Sequence, residues 1–426
     1  MVYNFISIFI VTKLHCIELL QRLKLISFLL TLLFLASCAS YQSKIQDARS
    51  LLSSGSPTQA ADQLQEKASL TGRDQVVFLL DYGMARHLSG EYIESNLALL
   101  KAERLAEVKD YTSLSRESGA ILANERLVQY KSDRYENLLI NSYVALNYLM
   151  LRDYDEALVE CRKIDIKMNK YRLEGEPEAK NFFARYLSAM VWQAQRNWDS
   201  AYIDYKNAYD VNPSHQDLPK YLMLMAWKAG RKKDLRRWRD NWPHFDFKKA
   251  VEDFKKGGEL VLLYQQGWAP RKRQRPRDRR FPMLREVRSH YNKAQLVVSQ
   301  SQVVPTRTIY NIAEDAFRTF KSYYKTLVAR KLVGEAARLV LARSIDSKKE
   351  KGWGEIARLA LQLTDQADLR QWSTLPESLQ VARISLPPGE HDVRVEAIST
   401  SRNKQLWKGS VKVLKGKTYF LTERTY

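Results

Sequence analysis

The sequence predicts a mainly α protein: a helical-repeat solenoid followed by a smaller α+β domain that ends in a β-sheet or sandwich. Three observations lead there. Apolar residues recur at helical spacing from about residue 44 to 254. One pattern of small and aromatic residues occurs three times within that stretch. Roughly the last 50 residues change to apolar–polar alternation, the period of a half-buried strand. At 426 residues the chain exceeds what one hydrophobic core usually serves, and the division expected is 38–258 for the repeats and 259–426 for the α+β part. A content of 45% hydrophobic and 27% charged residues excludes wholesale disorder and a polytopic membrane protein.

Before the repeats stands an export segment. Arg22 and Lys24 make a basic start, residues 25–35 are apolar, and the run ends Leu35-Ala36-Ser37-Cys38. That tetrapeptide resembles the lipobox of bacterial lipoproteins. The resemblance implies a signal peptide over 1–37, cleavage before Cys38, and a lipidated Cys38 thiol carrying acyl chains such as palmitate. The apolar run is too short to span the bilayer, which takes about 20 residues, whereas buried acyl chains contribute about 0.8 kcal/mol per methylene. Residues 1–21 hold a second apolar run, residues 5–11, ahead of the basic start, and read as a start codon assigned too far upstream. Ala39 after the cysteine is similar to the enteric pattern that releases lipoproteins to the outer membrane, facing the periplasm.

The clearest repeat is Leu79, Tyr82, Gly83, Gly90-Glu91-Tyr92, Ser95, Leu99 and Ala102. The register returns as Val144, Ala145, Tyr148, Asp153-Tyr154, Ala157, Cys161 and Ile164, and again as Ala189, Trp192, Asn197-Trp198, Ala201, Tyr205, Ala208 and Pro213. This resembles the tetratricopeptide repeat (TPR), in which small residues let two antiparallel helices approach and larger ones fill the gaps. Weaker units flank it at 48–70 and around Tyr221 to Trp238, with Gly230 at the turn. Tyr92 to Tyr154 is 62 residues and Tyr154 to Trp198 is 44, so an extra helix is expected between Ala106 and Tyr130. Tyr92, Tyr154, Trp198 and Tyr205 are expected in the core, and so is Cys161, the one cysteine beyond the export segment.

Charge is concentrated next. Of the formal +21, residues 220–290 hold 21 Lys or Arg against 8 Asp or Glu. One cluster is Lys228, Arg231, Lys232, Lys233, Arg236, Arg237 and Arg239 with Trp238 and Trp242. The other, Arg271, Lys272, Arg273, Arg275 and onward to Arg280, is interrupted by Pro276 and reads as an exposed loop. In an exported protein such a belt meets anionic lipid, glycan or acidic protein, and nucleic acid is not the expected partner. Strands are expected over 259–264, 295–304 and 391–397, and a hairpin over Val411 to Thr425 with Lys415-Gly416 at its turn. Ile309, Ile312, Ala313, Ala316, Phe317 and Phe320 make a helical stripe, and a helix pair is expected from there to Leu363.

Chemistry is expected to be absent. Six scattered histidines give no metal-ligand spacing, and neither a nucleophile elbow nor a Gly-rich phosphate loop is present. Neither a cofactor nor a metal is expected, and the chain reads as a non-enzyme. With Trp372-Ser-Thr-Leu-Pro376 and Leu386-Pro-Pro-Gly389 in its tail, the chain resembles a family of bacterial lipoproteins with amino-terminal tetratricopeptide helices, which implies architecture and location but no activity. The function expected is a membrane-anchored periplasmic scaffold or adaptor whose concave repeat surface holds a protein partner. The alternative is a binding module for anionic envelope lipid or glycan through the belt: Lys228, Arg231, Lys232, Arg236, Arg237, Trp238, Arg271, Lys272, Arg273 and Arg275.

Overall fold

The spacing of small residues sets the first half of the molecule. In the computed structural model, which describes residues 41–113, 129–299, 302–348, 366–400 and 403–426, these residues sit where helices cross. The helices in chain order are α1 (Tyr41–Ser53), α2 (Pro57–Ser69), α3 (Gln75–Leu88), α4 (Tyr92–Ser113), α5 (Arg134–Leu151), α6 (Tyr154–Leu173), α7 (Phe182–Ala194), α8 (Trp198–Val211), α9 (Leu218–Lys228), α10 (Lys232–Asn241) and α11 (Phe247–Lys256). From α2 to α10 each helix packs on the next in the chain, the order of a helical-repeat array. Gly83 shows why the motif needs a small residue: a Cβ there would lie 2.8 Å from the Leu99 side chain of α4. Ser95 uses the same approach to donate to the Gly83 carbonyl at 2.7 Å.

The turns within repeats share one geometry and two chemistries. Gly90, Arg152, Arg196 and Gly230 all take positive φ, at 80°, 62°, 66° and 70°. Glycine adopts that conformation freely and arginine does so at a cost. The two arginines also reach elsewhere, Arg196 donating to the Gly416 carbonyl at 2.9 Å and Arg152 lying 5.3 Å from the Tyr419 ring centre. After each arginine an Asp153 or Asn197 side chain caps the following helix.

Ten strands follow: β1 (Gly258–Gln266), β2 (Trp268–Arg275), β3 (Asp278–Val287), β4 (Lys293–Val298), β5 (Gln302–Pro305), β6 (Arg307–Asn311), β7 (Ser378–Leu386), β8 (Gly389–Ile398), β9 (Lys404–Val413) and β10 (Thr418–Arg424), with α12 (Ile312–Lys348) between β6 and β7. They form a sheet ordered β10-β1-β7-β6, a second ordered β5-β4-β8-β9, and a separate β2-β3 ribbon. Leu260, Leu262 and Tyr264 of β1 meet Leu296 of β4 and Val393 and Val395 of β8 in a shared core, making a β-sandwich. Residues 48–426 form one compact unit.

Several expectations change. The single strand over 295–304 is a hairpin, β4 and β5, turned at Ser299, whose φ is 48°. Ile309 lies in β6, and the helix begins at Ile312. The expected hairpin over 411–425 does not form: β9 pairs with β8, while β10 crosses to the other sheet and runs parallel to β1. The Arg271–Arg280 stretch is an antiparallel ribbon and not a loop, because β2 and β3 pair on either side of Pro276. Strand β7, which sits inside its sheet, and helix α11 are additions. Cys38, most of the segment between Ala106 and Tyr130, and residues 349–365 lie outside the described residues.

Of the expected core residues, Tyr205 and Cys161 are buried, and burial pushes the Cys161 thiol up. Tyr92, Tyr154 and Trp198 are half-buried, because each opens its helix at the surface turn.

Candidate functional site

Helices α3, α5, α7 and α9 share one side of the array, from which Asp81, Glu136, Gln193 and Tyr221 reach residues of the carboxy-terminal half. The chain itself fills that side. Residues 366–377, which contain the Trp-Ser-Thr-Leu-Pro motif, run along it as an irregular strap that turns at Ser373 and Thr374, and β1 and β7 follow beside them. Arg370 pairs with Asp74 of the α3 cap at 3.0 Å. The Trp372 backbone N–H donates to Glu136 at 2.9 Å, and the indole ring lies 5.8 Å from that of Tyr143. Asp81 accepts from both the Thr374 N–H at 2.9 Å and the Thr374 hydroxyl at 2.8 Å. Trp372, Thr374 and Leu375 are all buried. The groove expected to receive a partner is therefore occupied in cis, a correction that follows from the strap's own hydrogen bonds.

Farther along, the outward face of the sheet closes the groove with a buried ion pair. Arg383 of β7 pairs with Glu259 of β1 at 2.6 Å, donates to Tyr205 at 2.7 Å and to Gln193 at 2.9 Å, and lies 3.6 Å from the Tyr221 ring centre. Glu259 also accepts from Tyr221 at 2.7 Å. Burial opposes ionisation of both groups, yet their mutual attraction prevails: the Glu259 carboxyl is held below its ordinary value, helped by Lys220, and the Arg383 guanidinium above its own.

His87 completes the lining. It lies 2.6 Å from Asn147 Oδ1 through Nδ1 and 2.8 Å from Gln265 Nε2 through Nε2. The arrangement assigns Nδ1 as the donor and Nε2 as the acceptor of the neutral ring. Burial draws its pKa down to about 4. Glu136 moves the other way, raised by burial and by Asp133 and partly offset by Lys272. Each of these groups serves a contact inside the molecule.

The basic belt divides between two elements. On and before α10, Arg231 clasps Asp199 at 2.7 and 3.0 Å, and Lys228 lies among the rings of Trp198, Trp227 and Phe254. Trp238 is core, donating to Tyr202 at 3.1 Å and stacked on Trp242, so it offers no contact surface. Arg237 lies 5.0 Å from the Trp238 ring centre. Lys232, Lys233 and Arg236 are exposed.

On the ribbon, Lys272 is drawn inward towards Asp133 and Glu136: burial works against its charge, and those carboxylates hold it above its ordinary value. Arg275 lies 5.0 Å from the Tyr324 ring centre of α12. Arg273, Arg277, Arg279 and Arg285 are exposed. A cleft of about 380 Å³ opens here, lined by Arg271, Arg273, Gln274, Arg285, Glu286 and Val287.

The strap and the Arg383–Glu259 pair are functional features that motif searching misses. The strap carries the Trp-Ser-Thr-Leu-Pro motif without any sign of what it covers, and the ion pair is marked by an arginine in the middle of the apolar stretch Val381-Ala-Arg-Ile384. Among the described residues no group of three or more His, Cys, Asp or Glu could hold a metal ion, and no helix is long and apolar enough to cross a membrane.

The stacked helix pairs and the sandwich define the class: a TPR-like helical-repeat protein with a β-sandwich built against its array. No protein-family profile and no curated protein matches the chain. Among solved structures it is similar to MamA of Desulfovibrio magneticus, at 16% identity over 50% of this chain and 93% of that one, with a TM-score of 0.33. It is also similar to a tetratricopeptide repeat protein of Parabacteroides merdae, at 14% identity over 50% and 71% of the two chains, with a TM-score of 0.34. A third is a Podosopora anserina protein of kinesin-light-chain type with nearly identical TPR-like repeats, at 12% identity over 49% and 94%, again with a TM-score of 0.34. The class rests on the repeat geometry of this chain and not on those scores.

Proposed function

We propose that the chain is a lipid-anchored scaffold of the bacterial cell envelope that holds a protein partner on the outer helices of its array. The carrying observation is the face those helices present. α4 and α6 bury one side each and expose apolar residues on the other, Ile93 and Leu97 being 59% and 66% exposed and Ile166 69%. Ile93 and Leu97 stand one helical turn apart, so their side chains share one exposed face, and contiguous exposed apolar surface marks a contact site. With its groove filled, the array offers a partner its outer helices and edges. The lipobox resemblance at Cys38 supports the anchor, and Ala39 supports outer-membrane residence facing the periplasm.

A photoreactive residue replacing Leu97 or Ile166 in the native host tests the surface. Crosslinking to one protein from both positions, but not from Asp81 in the groove, is the expected result. Crosslinks from none of them, or from Asp81 alone, overturn the reading. Intact mass of the protein isolated from membranes tests the anchor: a diacylated or triacylated chain beginning at Cys38 is expected, and an unmodified cytosolic chain refutes it.

A further inference from the structure

The arginines on one face of the β2-β3 ribbon are arranged as like charges are not normally arranged. Arg271 and Arg285 are direct cross-strand partners, so their side chains leave the ribbon on the same face with Cβ atoms about 5 Å apart. Arg273, two residues along β2, shares that face by the period of the strand. Like charges directly opposed destabilise a ladder. Lys272 and Arg280 take ion pairs and Arg271 is buried at the base of the ribbon; among the described residues the exposed Arg273 and Arg285 have no ion pair. All three arginines line the cleft of about 380 Å³, whose remaining wall is Gln274, Glu286 and Val287.

We propose that this cleft is a binding site for a phosphate monoester. A guanidinium presents planar forks that match oxyanions in pairs of hydrogen bonds. A carboxylate offers two oxygens in one plane and is met by one fork. A tetrahedral phosphate offers oxygens in several planes and takes forks from both strands at once, Arg273 of β2 and Arg285 of β3, while its double negative charge offsets their two positive ones. Glu286 is the one carboxylate lining the cleft and limits affinity by repulsion. The site is separate from the outer helices proposed to hold the protein partner, and neither proposal depends on the other. A free phosphate compound and a lipid headgroup supply the same chemistry.

The experiment uses the full chain, with inorganic phosphate and with phosphatidylcholine vesicles with and without phosphatidic acid as probes. Inorganic phosphate is expected to raise the melting temperature of the native chain. Arg273→Gln combined with Arg285→Gln is expected to weaken phosphate binding by about a hundredfold, tenfold for each lost fork, and Glu286→Gln to strengthen it. The control Lys232→Gln with Arg236→Gln removes the same charge from α10 and is expected to leave binding unchanged. A headgroup source is assigned if vesicles bind only with phosphatidic acid and through the same two arginines. A free-phosphate source is assigned if inorganic phosphate alone binds. Helical circular dichroism establishes that each variant folds. No binding of either probe, or equal loss in the ribbon and α10 variants, overturns the proposal, since the latter outcome reports diffuse charge and not a site.

Discussion

The groove and the ribbon treat charge in opposite ways. In the groove Arg383, Glu259, Asp81 and Glu136 are buried, and each meets hydrogen-bonding partners at fixed distances. On the ribbon Arg273 and Arg285 stand in solvent with no carboxylate opposite. Burying a charge without a partner costs several kcal/mol, whereas leaving one in water costs little. The buried set is therefore bound to the fold, and the exposed set is free to vary with a ligand.

That contrast can be broken most severely at Arg383. Replacing it by leucine leaves Glu259 buried with Tyr221, Gln193 and a more distant Lys220, and a loss of about 3–5 kcal/mol is expected in chemical denaturation. A loss under about 1 kcal/mol would show that water reaches Glu259. The next effect appears on acidification. His87 has its folded pKa drawn down to about 4 from an unfolded value near 6.5. Its contribution is fully present above pH 6.5 and is lost as pH falls towards 4, in total about 3 kcal/mol. His87→Gln is expected to flatten that part of the stability curve, and an unchanged slope would assign acid sensitivity to other groups.

Asp81→Ala comes third. It removes the acceptor of two strap hydrogen bonds, so about 1–3 kcal/mol is expected, together with earlier proteolysis within residues 366–377. At the small end is Arg275→Ala on the ribbon. It forfeits only the contact with Tyr324, and a change of about 0.5 kcal/mol is expected by the same measurement. A large effect there would erase the distinction between the two regions.

Much of the helical half was legible because helix crossings impose local spacing. Gly83 and Leu99 are 16 residues apart and meet across one turn, so pattern and contact coincide. The β half was legible strand by strand but not in its pairing. Lys415-Gly416 has the composition of a hairpin turn, yet β10 leaves β9 for a strand more than 150 residues earlier, and no local feature encodes that choice. The ribbon was obscured by its own charge and by Pro276, which read as a loop although an edge ribbon tolerates both. The occupied groove was the least visible. The strap motif could be quoted from the sequence, but its partners Asp81, Glu136 and Tyr143 lie on two separate helices, in residues that look like ordinary surface or core positions.

The parallel pairing of β10 with β1 also sets an order of events during synthesis. The helices emerge first and can stack as soon as they are complete, since each packs on its neighbour. The side they share stays wet until residues 366–377 arrive, and the sheet that backs the strap lacks an edge until residues 418–424 are made. Long-range pairings of this kind form slowly. Until those residues are made, the chain is a stacked array with an empty groove, its buried polar side chains still open to water.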